Sequence, residues 1–368
     1  MTKAENSKII RTITVLITIC SLSFPAYAKY SGGNGEPNDP YQLATAEDLL
    51  LLGDSPEDYD KHFILTADID LDPNLPGRKV FDKAVIAPDV NETNEYFDGT
   101  PFTGTFDGNG HVISHVTVEG IGYLGLFGRL GSSPRDAPAG GKPTTTRDER
   151  PGAEVRNLGV LNASITGSSG YVGGLAGWVG DVAIFGCYST GTVSGNGSIG
   201  GLVGHNGVAI WSERRSFDPV IRVGGRIANC YSTCSVTGTA TVGGLVGYND
   251  AGSITTCYSA GRVSGNDPVG GLVGSPGYGT TSECFWDTQT SGQATSAGGT
   301  GKTTAEMQTA TTFMCWASEG VWTIDEGRGY PRLSWENGPG QPIVRAYCYG
   351  GGSGTEGDPY LIWTAEQL

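Results

Sequence analysis

"RIANCYSTCSVTGTATVGGLVGYNDAG" (226–252) runs directly into "SITTCYSAGRVSGNDPVGGLVGSPGYG" (253–279), two successive segments of 27 residues each. One step earlier stands "AIFGCYSTGTVSGNGSIGGLVGHNG" (183–207), and before it "VRNLGVLNASITGSSGYVGGLAGWVG" (155–180). A more distant copy is "HVISHVTVEGIGYLGLFGRLG" (111–131). Each unit holds short runs of β-branched and apolar residues separated by Ser-Gly or Ser-Gly-Asn turns. Gly-Gly pairs inside an α-helix would be costly, and no helical period is present. Strands joined by turns and repeating at this interval predict an all-β fold, a parallel β-solenoid of six or seven coils. With strands about 4.8 Å apart, its core would be on the order of 30 Å long. A short N-terminal helix and an irregular C-terminal segment are expected to cap it.

The register predicts columns. Val172, Ile199, Val242 and Val269 should stack, as should Leu175, Leu202, Leu245 and Leu272. Ala176, Val203, Val246 and Val273 are expected to form a third column on the opposite face of the same short strand. Each column buries apolar surface only because its neighbours do, so a single repeat should not fold alone.

Around this repeat the chain divides as follows. Residues 1–28 have a basic start (Lys3, Lys8, Arg11), an apolar run from Ile13 to Phe24, and Ala26-Tyr27-Ala28. That is the layout of a secretory signal peptide cleaved after Ala28 in a bacterial manner, with a run too short to span a bilayer. Residues 29–105 supply the N-terminal cap and first coil, with Thr45 as N-cap before Glu47 and Asp48. Residues 106–290 hold the repeated coils. Residues 291–340, with Trp316, Trp322 and Trp335, read as a closing cap with a small core of its own, to which Trp286 is also assigned. In 341–368, Asp358-Pro359-Tyr360 restates Asp39-Pro40-Tyr41, as a linker and the start of a second unit would.

Sixty glycines and 17% charged residues fit a repeat fold in which valine, leucine and isoleucine are regularly placed. A net charge of −15 disfavours nucleic acid and suits an exported protein, secreted or at the cell surface. Cys187, Cys230, Cys257 and Cys284 recur at one position of the repeat and contain no CxxC pair. They are expected to be buried free thiols, although stacking brings neighbours close enough to leave a disulfide open.

The GGLVG core after a Cys-Tyr-Ser strand resembles the GLUG motif, over about Tyr41 to Trp335. "FTGTFDGNGHVISHVTV" (102–118) and "SGQATSAGGTGKTTAEM" (291–307) are similar to the flanks of such proteins. The resemblance implies a right-handed β-helix in a large bacterial surface or secreted protein, adhesin-like or the non-catalytic part of an IgA-specific peptidase. It implies no reaction.

Signals for chemistry are weak. "GGTGKTT" (298–304) has Ser296 where a P-loop needs its first glycine. No His-Glu-x-x-His occurs among His62, His111, His115 and His205. "DIDLDPN" (68–74) has carboxylates at calcium-loop spacing, but Lys79 stands at the twelfth position. No enzyme activity and no cofactor or metal is expected. The functional reading is therefore a structural or adhesive scaffold, with glycans or extracellular proteins as partners and no membrane span. The alternative is a carbohydrate-active β-helix enzyme, a polysaccharide lyase or glycosidase, which would need two or three clustered carboxylates.

Six residues are candidates for ligand contact. If the cysteines point inward, alternation sends Tyr188, Tyr231 and Tyr258 outward in a ladder that could hold sugar rings. Trp211, Arg214 and Arg215, in an insertion that lengthens one repeat, could add specificity. The blander reading of the ladder, an aromatic column buried by the fold, competes with the first and is favoured.

Overall fold

A computed structural model describes residues 28–91, 96–132, 153–210, 221–266, 268–316 and 320–344. The leader, the restated Asp358-Pro359-Tyr360 and the candidates Trp211, Arg214 and Arg215 lie outside these residues.

Parallel sheets dominate, and no sheet closes into a barrel. A first sheet has eight strands, from Tyr41–Leu43 through His62–Leu65, Thr105–Asp107 and Val182–Phe185 to Thr280–Ser282. A second is thirteen-stranded and is built on the long strands Gly159–Gly173 and Tyr188–Gly200. A third has five strands, Phe127–Leu130, Ala176–Val179, Val203–Asn206, Val246–Asn249 and Val273–Ser275. The repeats visit first, second and third sheets in turn, and each pass pairs with the equivalent strand of the pass before.

The register is the one the repeat implies. Val172 pairs with Ile199, Ile199 with Val242 and Val242 with Val269. Leu175, Leu202 and Leu245 each donate N–H to the carbonyl of the next leucine, ending at Leu272, at 2.9 Å every time. All four leucines are fully buried. At roughly 1.5–3 kcal/mol per buried leucine, the column is a principal source of stability. One expectation is corrected. Ala176, Val203, Val246 and Val273 do not face away from the leucines; both columns lie in the same core. The chain turns a corner at Gly-Gly-Leu, so consecutive side chains both point inward. The turn is tight enough that a Cβ on Gly243 would stand 2.0 Å from the Val246 carbonyl oxygen.

A second corner precedes the cysteines. Asn157, Gly186, Asn229, Thr256 and Glu283 all have positive φ, between 51° and 61°, which bends every coil at the same place. Such a conformation costs an ordinary L-residue roughly 1–2 kcal/mol. At Thr256 the hydroxyl offsets part of this by donating to Asn229 Oδ1 at 2.6 Å. Cys187, Cys230, Cys257 and Cys284 follow, buried and free. Their thiols donate to the carbonyls of Phe185, Ala228, Thr255 and Ser282, adding a second donor to carbonyls that already accept a backbone N–H from the neighbouring coil. Cys315, by contrast, is disulfide-bonded.

At the N-terminal end the helix Ala46–Gly53 is capped as its sequence suggests. Thr45 Oγ1 accepts from Asp48 N–H, while Asp48 Oδ2 accepts from the N–H groups of Ala44 and Thr45. Leu49 and Leu52 seal against the first coil.

The C-terminal segment closes the last coil where Thr300–Lys302 pairs with Phe285–Asp287, and beyond that it does more than cap the end. It lies against the outer side of the second sheet. Its antiparallel strands Trp322–Ile324, Arg332–Leu333 and Gln341–Pro342 carry a second apolar cluster built on Tyr188, Tyr231 and Tyr258. Trp286 belongs to the main core instead. Tyr231 donates to Glu336 Oε2 at 2.7 Å and Tyr258 to the Pro331 carbonyl at 2.6 Å. Trp322 Nε1 reaches Asn229 Oδ1, which ties the segment to the left-handed corner.

Four outcomes are expected. Gly243→Ala, which meets backbone, should cost about 2–3 kcal/mol in a denaturant melt. Gly329→Ala, with nothing near its Cβ, should stay within about 0.5 kcal/mol of wild type. Burial is the main cause holding the Glu336 carboxyl above the usual glutamate range. A carboxyl whose folded pKa is raised weakens the fold as pH climbs from its unfolded value through its folded one. Glu336→Gln should therefore gain melting temperature relative to wild type at pH 8 more than at pH 4.5. Finally, mass-mapped alkylation should leave Cys187, Cys230, Cys257 and Cys284 unlabelled until guanidinium unfolds the chain.

Candidate functional site

The tyrosine ladder exists, but it is closed. Tyr188, Tyr231 and Tyr258 stack with ring centroids 4.9 Å apart and interplanar angles of 7° and 4°. Their exposures are only 6%, 5% and 1%. Trp335, Trp322, Trp316 and Tyr330 cover them, and burial drives all three phenols above their ordinary range. The ladder is thus corrected from a ligand platform to the seat of the C-terminal segment. An apolar column repeated at every coil invites cover, and the chain supplies it.

The other weak signals resolve into local structure. His111 Nδ1 lies 3.0 Å from Asp68 Oδ1 and His115 Nδ1 lies 2.8 Å from Asp70 Oδ1, joining one coil to the next. The His115 ring also holds the Asp70 carboxyl below its usual range. The acidic alternation of 68–72 is therefore matched by histidines on the neighbouring strand. "GGTGKTT" contributes the strand Thr300–Lys302, paired with Phe285–Asp287, and then one helical turn capped by Thr303.

Two outward surfaces remain. The first is a groove of about 640 Å³ across the bends of the second sheet. Glu119, Thr166, Ser194 and Thr237 follow one another along it, one per coil, with Asn196 and Thr239 beside them. Thr166 and Ser194 hydroxyls are 3.2 Å apart, and Thr239 donates to Asn196 Oδ1 at 3.0 Å. Among the described residues, Glu119 is the single carboxylate in its lining.

The second surface is aromatic and lies beside the third sheet. Arg129, Trp178, His205, Tyr248 and Ser275 occupy one register position in successive strands. Next to them Tyr123 pairs with Tyr171. Ring centroids run Phe97–Tyr123 5.1 Å, Tyr123–Tyr171 5.1 Å, Tyr171–His205 4.6 Å and His205–Tyr248 5.0 Å. The Arg129 guanidinium sits 4.5 Å from the Trp178 ring centroid and 4.9 Å from that of Phe97. Tyr123, Tyr171 and Tyr248 are partly exposed, whereas His205 is buried. Burial pushes the His205 imidazole down to about 4, so the ring is neutral at physiological pH. Its Nδ1 is buried without a hydrogen-bond partner.

Sequence reasoning missed this face. The available signal was an aromatic or histidine two residues after the Leu-Val or Leu-Ala of each motif, at Trp178, His205 and Tyr248. Simple alternation from the buried Val203 places His205 inside, which concealed it. In the structure His205 stands outside the main core while Asn206 turns inward. Asn206 is fully buried, accepting from Gly225 N–H at 2.9 Å and donating to Asn249 Oδ1 at 3.0 Å.

Comparison with known proteins follows the same pattern. Residues 238–264 match the family model described as "The GLUG motif". Over 181 residues, 47% of this chain, the sequence is 33% identical to Halomucin of Haloquadratum walsbyi. That alignment spans 2% of the length of Halomucin. Among solved structures, the fold is similar to a Bacteroides ovatus chain described as a "putative immunoglobulin A1 protease". The TM-score is 0.54 at 21% identity, over 84% of this chain and 96% of that one. The matched segment 238–264 runs from one bend of the second sheet through the Gly-Gly-Leu corner to the next, so this chain carries the GLUG motif as a structural unit of its stacked parallel sheets.

Proposed function

We propose that this chain is an exported, non-catalytic module, a right-handed parallel β-helix that serves as structural and adhesive scaffold of a larger bacterial surface protein. The observation that carries the reading is how the repeat is used. Its apolar residues and its cysteines go into the core, and its glycines into corners, leaving a rigid stack that displays side chains along one axis. The similarity to Halomucin and the match to the GLUG motif support this reading. No helix among the described residues is long and apolar enough to cross a membrane.

The single carboxylate of the groove supports binding over cleavage. Glycoside hydrolysis by acid–base chemistry uses a pair of carboxylates about 5–9.5 Å apart, and among the described residues Glu119 has no second acid beside it in the lining. A row of hydroxyls and an aromatic strip are instead contact surfaces.

The purified chain, screened on glycan and matrix-protein arrays, should bind at least one immobilised surface and release no new reducing ends from acidic polysaccharides. Binding to nothing, with the β-rich circular dichroism intact, would reduce the role to scaffold alone. New reducing ends would replace the reading with an enzyme.

A further inference from the structure

We propose that the groove along the bends of the second sheet binds a neutral, extended β-1,4-linked pyranose chain, laid along the axis of the stack with one sugar to each coil. The proposal rests on the adhesive reading and names its ligand class.

The groove is built by glycines that the backbone conformation does not require. Gly167, Gly195, Gly238 and Gly265 share one register position in successive coils, and none has a positive φ. Strand alternation turns their missing side chains inward, as it does the buried Ile165, Val193, Val236 and Val263 two residues before them. A Cβ at any of the four would lie 2.5–3.0 Å from a methyl of Val172, Ile199 or Val242. With no side chain to hold it off, the wall sinks towards those residues at every coil. Glycine weakens a strand interior, so a column of four marks a place where close approach is the gain. On the outer side Gly167, Gly195 and Gly238, together with Gly120, line the depression of about 640 Å³ that results.

Its two rims carry the chemistry. Thr166, Ser194 and Thr237 form one rim, Ser168, Asn196 and Thr239 the other, and all but the half-buried Ser194 are exposed. Neighbours satisfy one another only in part. The Thr166 and Ser194 hydroxyls share one bond, and Thr239 donates to Asn196 Oδ1. A hydroxyl is one donor and two acceptors, and the Asn196 amide nitrogen has no partner among the described residues. Donors and acceptors therefore stay open on both rims, which suits a polymer with hydroxyls along both of its edges.

Spacing and charge narrow the occupant. Coils repeat about every 4.8 Å, and an extended β-1,4-linked pyranose chain advances by a similar step, so each sugar meets the same pair of rims. An extended peptide draws affinity from the free backbone groups of a sheet edge, whereas here those groups are spent between coils. Among the described residues of the lining, Glu119 is the one ionisable side chain, and a uronate or sulfated chain would meet it without a cation. The segment that roofs Tyr188, Tyr231 and Tyr258 contributes no residue to this lining.

Calorimetric titration of the full chain with cellohexaose, mannohexaose and chitohexaose tests the proposal. Maltohexaose, whose α-linked chain coils, is the comparator for shape, and heparin and alginate are the comparators for charge. At least one β-linked hexasaccharide should bind, more tightly than maltohexaose. Thr166→Val and Thr237→Val should each weaken it about fivefold, the loss of roughly one hydrogen bond. Thr237→Ser, which keeps the hydroxyl, should stay within about twofold of wild type. Ser253→Ala, on the outer face of the first sheet, should bind as wild type does. Valine is a strong strand former, so the valine variants should fold, which melting curves verify. If one does not, Ser194→Ala carries the comparison with the same expected loss. Binding confined to the anionic polymers, maltohexaose bound as tightly as the β-linked chains, or affinity unchanged when Thr166 and Thr237 are both valine overturns the proposal. If no hexasaccharide binds while the chain still adheres to a matrix protein on the array, the groove assignment fails and the adhesive reading stands. If nothing binds on either, both fail.

Discussion

The constraint on which the rest depends is the repeated N–H to carbonyl bond of the leucine column, from Leu175 through Leu202 and Leu245 to Leu272. It fixes register at the sharpest corner of the coil, where a one-residue slip would carry apolar side chains out and polar ones in. Gly243 and its equivalents exist because that corner brings backbone against backbone. The leucines exist because the space enclosed is dry. Once four coils share this corner, the positions of every outward residue along the stack follow.

Polar groups inside such a stack must be paired coil by coil. The structure does so with short ladders in place of isolated bonds. Asn206 satisfies Gly225 and reaches Asn249, which in turn donates to the Thr280 carbonyl. The cysteine thiols cap the carbonyls at the left-handed corner, and Thr256 bonds to Asn229 in the coil before it. Replacing one member leaves a partner in the next coil unsatisfied, at a cost greater than the bond itself.

Outward columns have no such constraint, and there the chain makes different uses of similar residues. Tyr188, Tyr231 and Tyr258 are roofed by the C-terminal segment, with Glu336 and the Pro331 carbonyl taking the Tyr231 and Tyr258 hydroxyls. The hydroxyl groove and the strip containing Tyr171 and His205 remain at the surface to different degrees.

Much of the fold was legible in the sequence. The repeat length, the buried valine and leucine columns and the capped helix after Thr45 are local or nearest-neighbour properties, written into spacing and residue type. The left-handed corner could be read only in part, since asparagine and glycine there are suggestive but Thr256 and Glu283 are not. Burial of the tyrosine column was the favoured reading, but what buries it could not be read. Tyr231 and Glu336 are 105 residues apart, and nothing in the repeat says which outer face a distant segment will cover. Likewise His205 follows a buried valine by two positions, and only the actual path of the corner sets it outside the core. The sequence by itself determined the coil and its register, because those rest on interactions between neighbouring repeats. Only the tertiary structure decided which aromatic column is core and which is surface, because that depends on where a non-repeating segment finds the largest apolar area to bury.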